Sequence, residues 1–268
     1  MSRPSWAPKD IDLDRPSGAR VYDYFLGGAH NFAVDRELAG MIASMTPDIG
    51  DTMRANRSFL RRVVRRILDD GITQFLDIGS GIPTVGNVHE VAQKADPSCR
   101  VVYVDVDPIA VSHSRAILDG NPGTVVVQAD ARDVESIVAD PDVRELLDFD
   151  RPIAVLVLGV LHFVPDADDP AGIVARLRES VPAGSMLALV NVTHEDQPPE
   201  VIEAQKLSSR TGTPIFLRSR AELLAQFDGW DLVEPGLVHL PLWHPDVPLA
   251  DGERPERFGA LAGLAVKR

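Results

Sequence analysis

Apolar residues along this chain change their spacing once, near Gly71. Before that point they recur at helical intervals. Leu38, Met41, Ile42 and Met45 share one face of a segment that begins at Val34, and Phe59, Leu60, Val63, Val64, Ile67 and Leu68 do the same in the segment that Gly71 ends. Ser17 to Phe25 reads as a shorter helix, broken by Gly27-Gly28. Beyond Gly71 come short apolar runs of strand length, at Gln74–Ile78, Arg100–Val106, Thr124–Gln128, Ile153–Leu158 and Met186–Val192. Helical stretches alternate with them, at Thr84–Lys94, Pro108–Leu118, Val134–Leu147 and Ala171–Val181. Ser219 to Glu222 spell a capping box that opens a helix to Phe227, and two more strands fit Asp231–Leu240 and Phe258–Lys267. His194 to Arg218, with Pro198, Pro199 and Pro214, is long for a connection and predicts a helix of its own. The pattern therefore predicts an α/β fold: a doubly wound, mostly parallel seven-stranded sheet behind an N-terminal helical cap. Residues 1–50 are expected to form a helical lid segment and residues 51–268 the sheet domain.

Composition narrows the picture. With 268 residues, 44% of them hydrophobic, the chain can bury one good core with an embellishment. Lys and Arg number 27 against 40 Asp and Glu, a net charge of −13, which opposes binding to a nucleic-acid backbone. The one basic run, Arg54, Arg57, Arg61, Arg62, Arg65 and Arg66, interleaves with the apolar stripe and reads as a solvated cationic outer face. Met1 to Asp14 contain no signal-like apolar run, and the longest apolar stretch, Ile153 to Leu161, is too short to span a bilayer. A single cysteine, Cys99, allows no internal disulfide, so a reducing cytoplasm is the expected location.

The candidate chemistry lies at strand ends. Phe75-Leu76-Asp77-Ile78-Gly79-Ser80-Gly81-Ile82-Pro83-Thr84 is a buried strand entering a glycine turn and then a helix. A dinucleotide fingerprint wants a third glycine or alanine where Thr84 stands. Asp77 would repel a pyrophosphate at this turn but would welcome a cationic amino-acid tail or a sulfonium. The next strand ends in Asp105-Val106-Asp107-Pro108. Asp107 suits the N-cap before Pro108, which leaves Asp105 to accept hydrogen bonds from ribose hydroxyls. The third ends in Asp130-Ala131-Arg132-Asp133, where Asp133 can cap a helix and Asp130 can accept from an adenine amino group. Three successive strands thus end in carboxylates along the edge where a doubly wound sheet binds its ligands.

With these residues the chain resembles a class I S-adenosylmethionine-dependent methyltransferase on a Rossmann-like sheet. It is most similar to the bacterial S-adenosyl methyltransferase family, long held as a domain of unknown function. The matching stretches are Ala19 to Gly28 with Asn31-Phe32, Gln74 to Thr84, and Val102 to Pro108, within a similarity running from about Pro16 to the C-terminus. The resemblance implies S-adenosyl-L-methionine as cofactor, held by Asp77, Gly79, Ser80, Gly81, Asp105, Val106, Asp130, Ala131 and Gly159. It also implies that the fourth strand passes beneath the reacting methyl, with Gly159 and Leu161 near the cofactor and His162 near the acceptor pocket.

His162 is accordingly the candidate catalytic base for a hydroxyl or amine acceptor, against the alternative that it only packs and caps backbone groups. Tyr22 and Tyr24, on a short helix before Gly27-Gly28, are the candidate substrate-binding residues of a lid. No His or Cys spacing suggests a metal site. The expected activity is methyl transfer to an unidentified small molecule. Competing readings are a non-catalytic S-adenosylmethionine-binding protein and, opposed by Asp77 and Thr84, a nicotinamide-dependent oxidoreductase.

Overall fold

Side chains that alternate along a strand divide this molecule into two cores. In the computed structural model, which describes residues 15–83, 86–199, 202–203 and 214–268, β1 (Gln74–Ile78) sends Leu76 and Ile78 into one core and Phe75 into the other. The further strands are β2 (Arg100–Asp105), β3 (Thr124–Gln128), β4 (Ala154–Leu158), β5 (Met186–Val192), β6 (Asp231–Leu232), β7 (Val238–His239) and β8 (Ala260–Val266). Their order is β3-β2-β1-β4-β5-β8-β6, with β7 also paired to β8. The first five strands are parallel, and β8 runs antiparallel to β5, β6 and β7.

The sheet has eight strands where the apolar pattern predicts seven. The run Asp231–Leu240 is interrupted at Glu234-Pro235-Gly236: Pro235 has no N–H for a ladder, and Gly236 turns the chain at φ +81°. Two short strands result, both on β8.

The helices are α1 (Gly18–Phe25), α2 (Ala33–Met45), α3 (Ile49–Asp69), α4 (Val88–Ala95), α5 (Pro108–Ile117), α6 (Val134–Ala139), α7 (Pro141–Leu146), α8 (Pro170–Ser180) and α9 (Arg220–Ala225). Phe59, Leu60, Val63, Val64 and Ile67 of α3 pack with Val88 and Ala92 of α4 on the Phe75 side. Residues of α6, α7, α8 and α9 cover the opposite side. The predicted helix Val134–Leu147 divides at Asp140-Pro141, where the Asp140 carboxylate accepts from Asp142 N at 2.9 Å and caps α7. The predicted helix Thr84–Lys94 begins only at Val88; Thr84 itself lies outside the described residues. Most of the helix expected between His194 and Arg218 also falls outside them.

Helices α1 and α2 form a corner fastened by two buried acids. Asp35, fully buried, accepts from Arg20 Nε (3.1 Å), Ser17 N (3.0 Å) and Phe32 N (2.8 Å). Asp23 accepts from His30 N (2.8 Å) and Asn31 Nδ2 (3.0 Å). Its carboxylate lies so close to Gly28 that an added Cβ would come within 1.9 Å of Oδ1, so only glycine fits there. Among the described residues no helix is long and apolar enough to cross a membrane.

Candidate functional site

Strand order reverses between β1 and β4, and the glycine turn leaves β1 at that reversal. Gly79 and Gly81 have φ of +69° and +64°, a region costly for other residues. Gly79 N and Ser80 N donate to Val104 O at 2.7 and 3.0 Å, tying the turn to β2. A Cβ on Gly79 would lie 2.3 Å from Val160 Cγ2, so the exit of β4 packs directly on the turn. At Gly81 an added Cβ would meet nothing within 4 Å, and the turn is open there.

Asp105 closes the other side of this turn. Its carboxylate accepts from Gly81 N at 2.7 Å and from Asp107 N at 2.8 Å. Burial still pushes its pKa up to about 6. Asp77, also buried, receives no hydrogen bond on its carboxylate from the described residues. Burial raises its pKa to about 7, with Arg57 opposing the rise and Asp105 adding to it. Asp107 serves as the cap of α5, accepting from Ile109 N at 2.8 Å, and the Ser17 hydroxyl donates to its second oxygen. Asp133 accepts from Ser136 N at 3.1 Å and caps α6.

Asp130 is more occupied than an open adenine acceptor would be. The Arg132 side chain forks onto it, with Nε at 3.0 Å and Nη2 at 2.6 Å, and Arg132 N adds a third donor at 2.9 Å. Those bonds hold the Asp130 carboxyl below the usual range. A carboxylate has about four acceptor positions, and Arg132 makes four contacts with them, Nε reaching both oxygens at 3.0 Å. Val106, 62% exposed, and Ala131, half-buried, flank these acids on the same sheet edge.

The exit of β4 gathers a second group. An added Cβ on Gly159 (φ +83°) would lie 3.7 Å from His162 Cε1 and 3.8 Å from Asn56 Nδ2. Asn56 Nδ2 donates to the Tyr22 hydroxyl at 3.1 Å, and that hydroxyl donates to Met53 O at 3.4 Å. Among the described residues Asn56 Oδ1 is buried without a partner, as is His162 Nδ1. Burial, reinforced by the Arg218 charge, drives the His162 pKa down to about 3, so the imidazole is neutral and weakly basic.

The two tyrosines and the arginine run are each divided between this group and the surface. Tyr22 joins this group, but Tyr24 is 40% exposed and meets Phe25 edge-on at 5.9 Å. Residues two apart on an α-helix point about 200° apart, so the two tyrosines face different ways. The arginine run is also not wholly an outer face. Arg54 and Arg65 are exposed, but Arg57 is buried, with Nη1 donating to Asn87 Oδ1 and the guanidinium 5.5 Å from the centre of the Tyr22 ring. Half-buried Arg62 donates to Trp243 O at 2.8 Å. Asn56 and Arg57 were missed by the sequence reading. Their signal is position: they stand four and three residues before Leu60, where the apolar stripe of α3 extends one turn further toward its start.

Among the described residues no cluster could hold a metal ion. The donor set fits S-adenosylmethionine: open space at Gly81, with buried carboxylates on β1 and β2 that would face a ligand carrying positive charge and no phosphate.

A doubly wound sheet with this order, entered through a two-glycine turn at its reversal, is the fold of Rossmann-like methyltransferases. Two crystal structures share it nearly throughout. One is of a methyltransferase candidate from Thermobifida fusca YX, 40% identical, with a TM-score of 0.92 over 99% of this chain and 100% of that one. The other is of a DUF574 family protein from Streptomyces avermitilis MA-4680, 42% identical, with a TM-score of 0.91 over 96% and 100%. The chain belongs to the S-adenosyl methyltransferase family, whose description matches residues 4–268. A search of curated proteins gives no match.

Proposed function

We propose that this chain methylates a small-molecule acceptor, with S-adenosylmethionine bound along the carboxyl edge of β1 to β4. The observation that carries the reading is the pairing of an open Gly81 with a buried Asp105 that grips its N–H. When bound, the cofactor supplies a sulfonium methyl already activated for displacement. The protein has to hold, align and exclude water, and proximity can supply on the order of 7–11 kcal/mol in the best cases.

In this reading the free acceptor positions of Asp105 take the ribose hydroxyls, Val106 and Ala131 flank the adenine, and Asp130 takes its amino group in place of one contact from Arg132. Asp77 faces the cationic tail beside Gly79, Ser80 and Gly81. Gly159 leaves room for the acceptor, whose O–H or N–H points to His162. An imidazole held neutral by burial accepts that hydrogen bond, and its weak basicity suits it to orienting the acceptor more than to removing a free-standing proton. Tyr22 reaches the same space through Asn56. In this reading the lid is built on the α1–α2 corner, residues 18–45, within the expected 1–50 segment, of which residues 1–14 lie outside the described residues.

Heat denaturation tests this directly. S-adenosylhomocysteine at one hundred times its Kd should stabilise the chain by about 2.7 kcal/mol, and NAD and NADP should not. Stabilisation by NAD or NADP alone overturns the reading. Labelled S-adenosylmethionine incubated with small-molecule extracts then separates an enzyme from a binder, which would retain the label on the cofactor.

A further inference from the structure

We infer that the methyl acceptor is a primary amine, its two N–H groups received by Asn56 Oδ1 and His162 Nδ1, an assignment that rests on the methyltransferase reading above. The two side chains come from different elements, α3 and the short turn Leu161–Phe163 after β4, and both reach within 4 Å of the point that a Cβ on Gly159 would occupy. The nearest atoms there are Asn56 Nδ2 and His162 Cε1. Asn56 Oδ1 shares the amide carbon with the first, and His162 Nδ1 is bonded to the second.

The direction of the Asn56 amide follows from its neighbours. Met53 O can only accept, so the Tyr22 hydroxyl directs its single proton there and receives from Asn56 Nδ2. Oδ1 is thereby left as a buried acceptor with no donor among the described residues, and His162 Nδ1 is buried and unpartnered in the same way. Such groups are costly to bury and rare without a partner. The imidazole cannot swing away to find one. Buried Arg218 donates to Leu161 O at 2.7 Å and to Val164 O at 2.6 Å, fixing the turn that carries it.

What the pair lacks is two hydrogens on one uncharged atom. A hydroxyl or thiol brings one, whereas a primary amine brings two and keeps its lone pair free for the methyl carbon. The Arg218 charge beside the imidazole opposes a second cation and so favours the neutral, nucleophilic amine over its ammonium. In the transfer the nitrogen lone pair forms the N–C bond, the C–S electron pair leaves with sulfur, and the positive charge passes from sulfur to nitrogen. Both hydrogen bonds strengthen as that charge develops, which lowers the barrier beyond what binding alone would do. The product ammonium releases one proton to water afterwards. An oxygen acceptor would instead need its proton taken, and an imidazole whose pKa burial holds near about 3 is a poor base for it.

The test gives the full chain S-adenosylmethionine with an isotope-labelled methyl carbon in a small-molecule extract of the cells it comes from, and reads the methylated atom from the carbon chemical shift of the product. The expected product is the N-methyl derivative of a primary amine. With that amine as substrate, Asn56→Leu and His162→Leu should each lower kcat/KM about ten- to a hundred-fold. Affinity for S-adenosylhomocysteine should stay within about two-fold of the parent, which certifies that each variant is folded. His162→Gln replaces the ring nitrogen by a carbonyl acceptor that cannot serve as a base, and should recover most of the loss. If Asn56→Leu fails to fold, the two His162 variants decide. An O-methyl or S-methyl product overturns the amine assignment and leaves the methyltransferase reading standing. So does an N-methyl product whose formation neither leucine variant slows, or a glutamine variant that recovers nothing, since His162 would then act as a base. A chain that binds S-adenosylhomocysteine but labels no product overturns the methyltransferase reading itself.

Discussion

Burial shifts the ionisation of the Asp77 and Asp105 carboxyls to higher pH, and this has a measurable sign. Their folded pKa values of about 7 and about 6 lie above the ordinary 3.8. Across that window the folded chain holds protons that the unfolded chain has released, so stability without ligand falls as pH rises from about 4 to about 7 and levels off above. A cationic ligand tail reverses the preference by favouring the charged form of Asp77. Affinity for S-adenosylhomocysteine should therefore rise between pH 6 and pH 8. Calorimetry at pH 6 in buffers of different ionisation enthalpy should show proton release on binding. Asp77→Asn should remove most of that release, and an unaltered release in this variant would separate Asp77 from the ligand. Asp77, Gly79, Gly81 and Asp105 were legible as candidates because strand-end acids beside a glycine turn are local in sequence. Asn56 and Arg57 were not, because an arginine in a run of six reads as solvated unless the apolar stripe is followed one turn back from Leu60 toward the start of α3.

At the scale of elements, the α1–α2 corner is fixed from several sides. Asp35 gathers Arg20, Ser17 and the start of α2, the Ser17 hydroxyl reaches Asp107 at the start of α5, and Tyr22 reaches Asn56 on α3. Gly28 is packed against the Asp23 carboxylate, which makes the Gly27-Gly28 joint a set turn and not a loose hinge. Asp35→Ala strands the buried Arg20 charge, a change worth about 3–5 kcal/mol when one partner of a buried pair is lost. Because the corner meets the sheet mainly through α3 and α5, the expected result is local opening. Amide exchange should speed up across residues 18–45 and stay slow in β1 to β5. Affinity for S-adenosylhomocysteine should fall with it if this corner is the lid. Fast exchange in the corner with full affinity would detach it from the cofactor. The corner's helices were legible from apolar spacing, but its fastening was not, since Asp35 acts through partners on another helix and Asp107 meets Ser17 from far along the chain.

For the whole molecule, alternating strand and helix patterns gave the parallel sheet and its covering layers, while β6 and β7 could not be told apart from one apolar run without the turn at Pro235. The parallel strands and the C-terminal strands are joined by β8, which pairs with β5 over Met186 to Val192 and also carries β6 and β7. Leu264, fully buried in β8, should report on the entire fold. Leu264→Ala should cost about 2–5 kcal/mol, and at roughly 2–4 °C per kcal/mol in a chain of this size the melting midpoint should drop accordingly. Tryptophan fluorescence and circular dichroism should shift together, and separate midpoints would show two units where one cooperative unit is expected.

The place of β8 also orders events on the ribosome. Beyond β4, the strand β5 has β8 as its other neighbour, and β6 and β7 pair only with β8, which follows all three in the chain. While residues 193–259 are being synthesised, the free edge of β5 presents unpaired N–H and C=O groups over an apolar strand, the kind of template on which nascent chains aggregate. The sheet closes only when the segment from Ala260 emerges, so slow translation between β5 and β8 lengthens the interval in which that edge stands unpaired.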